Sequence, residues 1–143
     1  ADGTVRIFAG LMDKFTDDEI RYVIGHERGH VRAGHTKKRM QAALRTSALK
    51  KGVGAAGGTA GRIAASELGG VFEKVITAQH SQGNEKEADD LAMAFMKANK
   101  FDPMACVTAL EKLGGGSGGG VAWLQTHPSP KERAARMRKQ LAA

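Results

Sequence analysis

His26-Glu27-Arg28-Gly29-His30 is where residue types and spacing first offer chemistry in this chain. Residues four apart lie on one face of a helix, so His26 and His30 can bring two imidazole nitrogens to about 2.0–2.1 Å from one zinc ion. Glu27 is turned about 100° from His26, which lets its carboxylate work on a water at the metal without taking a coordination site. At ordinary His and Glu frequencies this HEXXH pattern arises by chance in fewer than about one chain in a hundred of this length.

Two ligands do not make a catalytic zinc site, which ordinarily has three protein ligands and one open position. In the extended HEXXHXXGXXH pattern a further His would fall at position 36. That position is Thr36, and His35 comes one residue early. His35 is expected at a helix end or on the surface. Asn84-Glu85-Lys86-Glu87-Ala88-Asp89 is the better source. Glu85 and Asp89 share a helical face, so one can bind zinc while the other accepts a hydrogen bond from a ligating imidazole and fixes its tautomer. Glu87 is turned about 200° from Glu85 and points elsewhere.

These groups need helices to hold them. Thr16-Asp17-Asp18-Glu19 matches a capping box, so a helix is expected from about Asp17 to about Lys38, with Ile20, Val23, Ile24 and Val31 as its apolar stripe. Further helical patterns cover Arg39 to Lys51, Arg62 to Ala78 and Glu85 to Asn99, with Gly52 to Gly61 as a glycine-rich break. Asp102-Pro103 starts a helix reaching about Leu113, Gly114 to Gly120 is a loop by composition, and Ser129-Pro130-Lys131-Glu132 caps a last basic helix to about Leu141. Thr4 to Ala9 is rich in β-branched and aromatic residues between glycines and is expected to form one strand. The expected fold is mainly α with a minor β element (α+β), an HEXXH helix packed against further helices.

With 143 residues, one domain with a single core is the expectation. Scarce aromatics and abundant Ala and Leu favour packed helices over a β-sandwich. Cys106 is the single cysteine, which excludes an internal disulfide, and it sits in an apolar stretch as a small core residue. The glycine-rich run is about half the length of a membrane span. The net charge of +7 favours encounters with anions and says nothing about fold.

In combination, the HEXXH segment, the E-x-E-A-D segment at Glu85 to Asp89, and Thr126 to Arg133 with its His-Pro pair resemble the catalytic domain of the gluzincin metallopeptidases. That family includes the CAAX prenyl proteases, HtpX and the LoiP-like outer-membrane lipoprotein proteases, and the resemblance is nearest to the LoiP-like branch. It spans most of the chain outside Arg39 to Ala78. It implies a zinc metalloendopeptidase with one zinc per chain held by His26, His30 and Glu85. It further implies Glu27 as general base, Asp89 as partner to a ligating imidazole, and His127 with Arg133 near the substrate, His127 as a donor to the oxyanion. Gln82 stands where the family often has Arg, and Arg28 where it usually has an apolar residue. The resemblance also implies an N-terminally incomplete domain over 1–143, protein or peptide substrates, and protein quality control in a bacterial cell envelope. A periplasmic or outer-membrane-associated location follows, with peripheral membrane contact through a segment upstream of Ala1.

Two other classes compete. Lys37-Lys38-Arg39, Arg45, Lys50-Lys51 and the basic last helix suit an anion-binding module, for nucleic acid or a membrane surface. Isolated Tyr22 and Trp123 lack the stacking series that single-stranded nucleic acid demands, so no specific nucleic-acid partner is expected. A zinc-bound scaffold that does not cleave is the third class. An intact Glu27 argues against it, because a structural site needs no base.

Overall fold

The computed structural model describes residues 4–52, 70–75, 77–115 and 123–143. They fall into two compact units, Ala1–Ala33 with Gln79–Ala143, and Gly34–Ala78. The described residues are mostly helical.

The first unit is built on α1 (Ala9–Met12), α2 (Asp17–Arg32), α4 (Gln82–Ala98), α5 (Ala105–Gly114) and α6 (Pro130–Ala142); α3 (His35–Gly52) belongs to the second. The expected capping box starts α2: Thr16 Oγ1 accepts from the Glu19 backbone N–H at 3.3 Å, and Glu19 Oε2 accepts from the Thr16 N–H at 2.8 Å. Glu19 is buried, and Lys112 of α5 closes the pair with Nζ 2.7 Å from the same oxygen while also donating to the Lys14 carbonyl at 3.0 Å. The cap is therefore also a clamp between the start of α2 and the end of α5.

Tyr22, Val23, Ala92, Met96, Leu110 and Met137 lie in one apolar core that α2, α4, α5 and α6 share, with Cys106 inside it. Burial pushes the Cys106 thiol up to about 12, so it stays protonated and inert, as its apolar setting suggests.

Several boundaries differ from the sequence pattern. The helix expected to reach Lys38 stops at Arg32, because Gly34 takes a left-handed backbone (φ +68) that ends one helix before α3 begins. His35 accordingly stands at the first position of α3. α4 starts at Gln82 rather than Glu85, since Ser81 caps it by accepting from the Asn84 N–H at 3.1 Å. α6 begins with Pro130 at its first turn, as its fixed φ favours, but Ser129 is left-handed and makes no capping hydrogen bond.

No strand forms at Thr4 to Ala9. Residues 4–8 have no regular structure and Ala9 opens α1; a strand exists only in a ladder, and among the described residues there is no second strand to pair with. Residues 53–61, 62–69 and 116–120, where the glycine break, part of a helix and the loop were expected, lie outside the described residues. In the second unit Arg39 of α3 donates to the Ala78 carbonyl at 2.9 Å and to the Val75 carbonyl, filling acceptors at the end of the helical run 70–75.

Glu19→Gln should cost about 1 kcal/mol at neutral pH, read by urea denaturation. Lys112 and the Thr16 N–H hold the Glu19 carboxyl below its ordinary 4.5 against the opposing effect of burial. Its contribution is therefore complete above the unfolded-state value and lost as pH falls through the lower folded one. The variant's stability should accordingly fall less than that of the native chain on acidification.

Candidate metal centre

α2 and α4 approach most closely where their side chains are smallest. A Cβ on Gly29 would stand 2.9 Å from the Ala88 carbonyl oxygen, and one on Gly25 would stand 3.0 Å from the Phe95 ring and 3.5 Å from the Ala92 Cα. Glycine at these two positions lets the HEXXH helix lie directly on the backbone of the helix that carries Glu85 and Asp89.

The consequence is a convergence of four side chains. His26, His30, Glu85 and His127 each offer a ligand atom, all within 4.8 Å of one another, and all four residues are buried. His26 Nε2 lies 3.0 Å from His30 Nε2, 3.5 Å from Glu85 Oε2 and 3.4 Å from His127 Nδ1. Glu85 Oε1 is 3.2 Å from His30 Nε2 and 3.1 Å from His127 Nδ1. Ligand atoms around a tetrahedral zinc ion sit about 3.3 Å apart, so this spacing fits such an ion.

The donor chemistry fits as well. His26 Nδ1 is 3.0 Å from Asp89 Oδ1, and an ionised carboxylate only accepts, so Nδ1 carries the proton and Nε2 turns its lone pair toward Glu85. Glu85 Oε2 is buried without a hydrogen bond of ordinary geometry among the described residues, although Arg133 Nη1 is ion-paired to it. A buried carboxylate oxygen in that state is an acceptor suited to a cation.

Asp89 is fully enclosed and held from three sides. Tyr22 Oη donates to its Oδ1 at 2.8 Å, Arg133 Nη2 to Oδ1 at 2.7 Å, and Arg133 Nε to Oδ2 at 2.9 Å. Burial alone would raise the Asp89 carboxyl, but His26 and Arg133 hold it well below the usual range. Burial also opposes ionisation of Glu85, and its contacts with His127, His26, His30 and Arg133 outweigh it. Burial would lower Arg133, yet Asp89 and its neighbours hold it above its ordinary value. For Tyr22, burial and the Asp89 charge both push the phenol well up, so it remains a donor.

Glu27 stands apart from the four. Its carboxylate is 3.2 Å from His127 Nε2, and its side chain keeps 29% exposure, against 1% for Glu85. Burial would raise its carboxyl; the hydrogen bond from His127 and the nearby imidazoles bring it down to about 2. The same carboxylates raise His127 against its own burial, whereas burial dominates at His30 and lowers it. Glu27 lines a cavity of about 250 Å³ with Val5, Ile7, Phe8, Val23, Val31 and Trp123.

The seven residues singled out in the sequence therefore meet in one place. His127 does so differently from expectation: its Nδ1 belongs to the candidate ligand cluster while its Nε2 faces Glu27. Three neighbours escaped the sequence pattern. Tyr22 sits one helical turn before His26, a legible i, i+4 signal, and Trp123 sits four residues before His127. His80, whose ring centroid is 3.9 Å from that of His30, had no signal at all.

The sequence profile described as Peptidase family M48 matches residues 1–141. The chain belongs to peptidase family M48. It is 40% identical to metalloprotease LoiP and 35% identical to metalloprotease YcaL, both of Escherichia coli K12, in each case over 100% of this chain and 57% of the relative. It is also 29% identical to the mitochondrial metalloendopeptidase OMA1 of Arabidopsis thaliana, over 92% of this chain and 26% of that protein. The chain thus spans little more than half the length of its bacterial relatives LoiP and YcaL. No solved structure matches it.

Gly29→Ala should push α4 away from α2, because the atom in the way is backbone and cannot rotate aside. A loss of about 1–3 kcal/mol in stability is expected. Zinc affinity should fall about tenfold or more in a chelator competition titration, since the imidazoles would lose their set distance to Glu85 and Asp89.

Proposed function

We propose that this chain is the catalytic part of a zinc-dependent metalloendopeptidase in which His26, His30 and Glu85 hold one zinc ion and Glu27 is the general base. The observation that carries it is the meeting of the two imidazoles of α2 with the Glu85 carboxylate of α4 at 3.0–3.5 Å, beside a carboxylate outside the cluster. Zinc held there supplies Lewis acidity that polarises a peptide carbonyl and lowers the pKa of a water toward ~7.

The remaining steps belong to the chain. Glu27, ionised at neutral pH, takes the proton of the attacking water and returns it to the leaving amine nitrogen. Asp89 keeps His26 in the tautomer that presents Nε2, and Tyr22 and Arg133 keep Asp89 ionised and fixed. Residues 4–8 border the cavity beside Glu27, where the expected strand would have paired with an extended peptide. His127, whose Nε2 lies 3.2 Å from Glu27, is the donor to the oxyanion in this reading.

A second reading of His127 has its own support. Its Nδ1 lies close enough to His26 Nε2 and Glu85 Oε1 to fill the fourth position and hold the site closed. Loss of His127 lowers kcat if it donates to the oxyanion and raises it if it occupies the open position.

The LoiP-like resemblance supports protein quality control at a bacterial cell envelope as the setting, with proteins or peptides as substrates. Among the described residues no helix is long and apolar enough to cross a membrane.

The deciding experiment pairs zinc content of the purified chain with casein cleavage in the presence and absence of a chelator. About one zinc per chain and chelator-sensitive cleavage are expected; metal-free protein that still cleaves would refute the proposal. Glu27→Gln should keep its zinc and lose about 10²–10⁴-fold in kcat. Glu85→Ala should lose zinc on dialysis, and unchanged stoichiometry would move the third ligand elsewhere.

A further inference from the structure

We propose that Trp123 is a positioning residue that sets the plane and direction of the His127 imidazole, a role that rests on His127 being a working group of the site. Two separate features of Trp123 act on the same partner. Its main-chain carbonyl accepts from the Thr126 N–H at 3.1 Å, the His127 N–H at 2.9 Å and the Thr126 hydroxyl at 3.3 Å, so the turn that delivers His127 is organised around one oxygen. Its indole ring stacks on the His127 ring, with centroids 4.4 Å apart and planes 18° from parallel.

A second ring completes the arrangement. His80 lies 5.2 Å from His127 at 24°, and its backbone N–H donates to the Thr126 carbonyl at 2.9 Å. His127 is therefore nearly parallel to two aromatic neighbours. In that plane its two nitrogens point at different carboxylates, Nε2 at Glu27 (3.2 Å) and Nδ1 at Glu85 (3.1 Å). A ring tilted out of the stack loses at least one of these contacts.

Trp123 also links the turn to the rest of the site. The Arg133 guanidinium stands 4.9 Å over the indole while binding Asp89 through two nitrogens. The indole Nε1–H is buried and makes no hydrogen bond among the described residues, so the ring is held by its flat surfaces and not by its polar edge. A flat ring is thus the property the position uses, and a branched aliphatic side chain of similar volume lacks it.

The test uses the zinc-loaded chain and three variants, Trp123→Phe, Trp123→Leu and His127→Ala. Trp123→Phe should stay near the native kcat. Trp123→Leu should change kcat about tenfold at unchanged KM and unchanged zinc content, in the same direction as His127→Ala. Trp123 is the single tryptophan of the chain, so its emission reports the stack without any turnover. His127→Ala should alter that emission in intensity and wavelength.

Three results would overturn the proposal: an unchanged kcat in Trp123→Leu, a raised KM with intact kcat, which would limit the indole to its place in the cavity wall, or an emission insensitive to His127→Ala. If Trp123→Leu fails to fold by circular dichroism, the emission comparison decides. If His127→Ala shifts the emission but leaves kcat unaltered, the stack stands and the assignment of His127 to the reaction fails.

Discussion

The close approach of α2 and α4 is the constraint on which the site depends. Two glycines one turn apart, Gly25 and Gly29, face Ala92 and Ala88, and the helices touch at backbone distance. Side chains projecting from the two facing surfaces can then meet without spanning a gap. His26 and Glu85, 59 residues apart in sequence, come within 3.5 Å, and Asp89, one turn further along α4, reaches the other nitrogen of the same ring. A helix pair held apart by larger residues would leave the carboxylates too short to reach.

That proximity concentrates charge in buried side chains, and the chain answers it with internal partners. Glu85 and Asp89 are buried, an arrangement that is unfavourable unless each carboxylate is paired and hydrogen-bonded. Arg133 serves both, at a distance along the chain that places it on α6, and Tyr22 adds a neutral donor to Asp89 from within the HEXXH helix. The site is therefore a product of α2, α4, α6 and the turn before α6 together. Of the seven residues singled out in the sequence only Glu27 lines the cavity, which sets the proposed base apart from the buried residues around it.

How much of this the sequence disclosed follows from the range of each interaction. HEXXH and the Glu85–Asp89 pair repeat with the helical period, and the capping box at Thr16 is confined to four residues, so local pattern sufficed. His127 and Arg133 carry no spacing that points to α2; family likeness named them, and packing gives the likeness a physical meaning. His80 meets the cluster through ring contacts between distant segments, which no periodicity encodes, and Trp123 through a stack on His127 four residues on, in a turn that no helical stripe announces. The strand at Thr4 to Ala9 failed for the opposite reason: β-branched residues state a preference, but a ladder needs a second segment. The helix break at Gly34 was legible in principle, since glycine after an otherwise regular helix often takes the left-handed cap. Basic residues continuing on both sides masked it.

The positive charge, which gave the anion-binding class its appeal, is partly accounted for by these same contacts. Arg133 is buried against Glu85 and Asp89, Arg136 pairs with Asp90 at 2.7 Å, Arg138 with Glu111 at 2.6 Å, and Lys112 with Glu19. In the last helix the basic residues at these positions thus face acidic partners on α4 and α5, and they tie that helix to the core. An anion-binding surface needs cations whose charge is left facing solvent, and a partner drawn to α6 would compete with ion pairs already made. The exposed pairs are worth little individually. Arg133 is different in kind, because removing it would leave two carboxylates buried beside the imidazoles with their principal counter-charge gone. The basic composition of α6 therefore bears on the integrity of the metal site before it bears on any external partner.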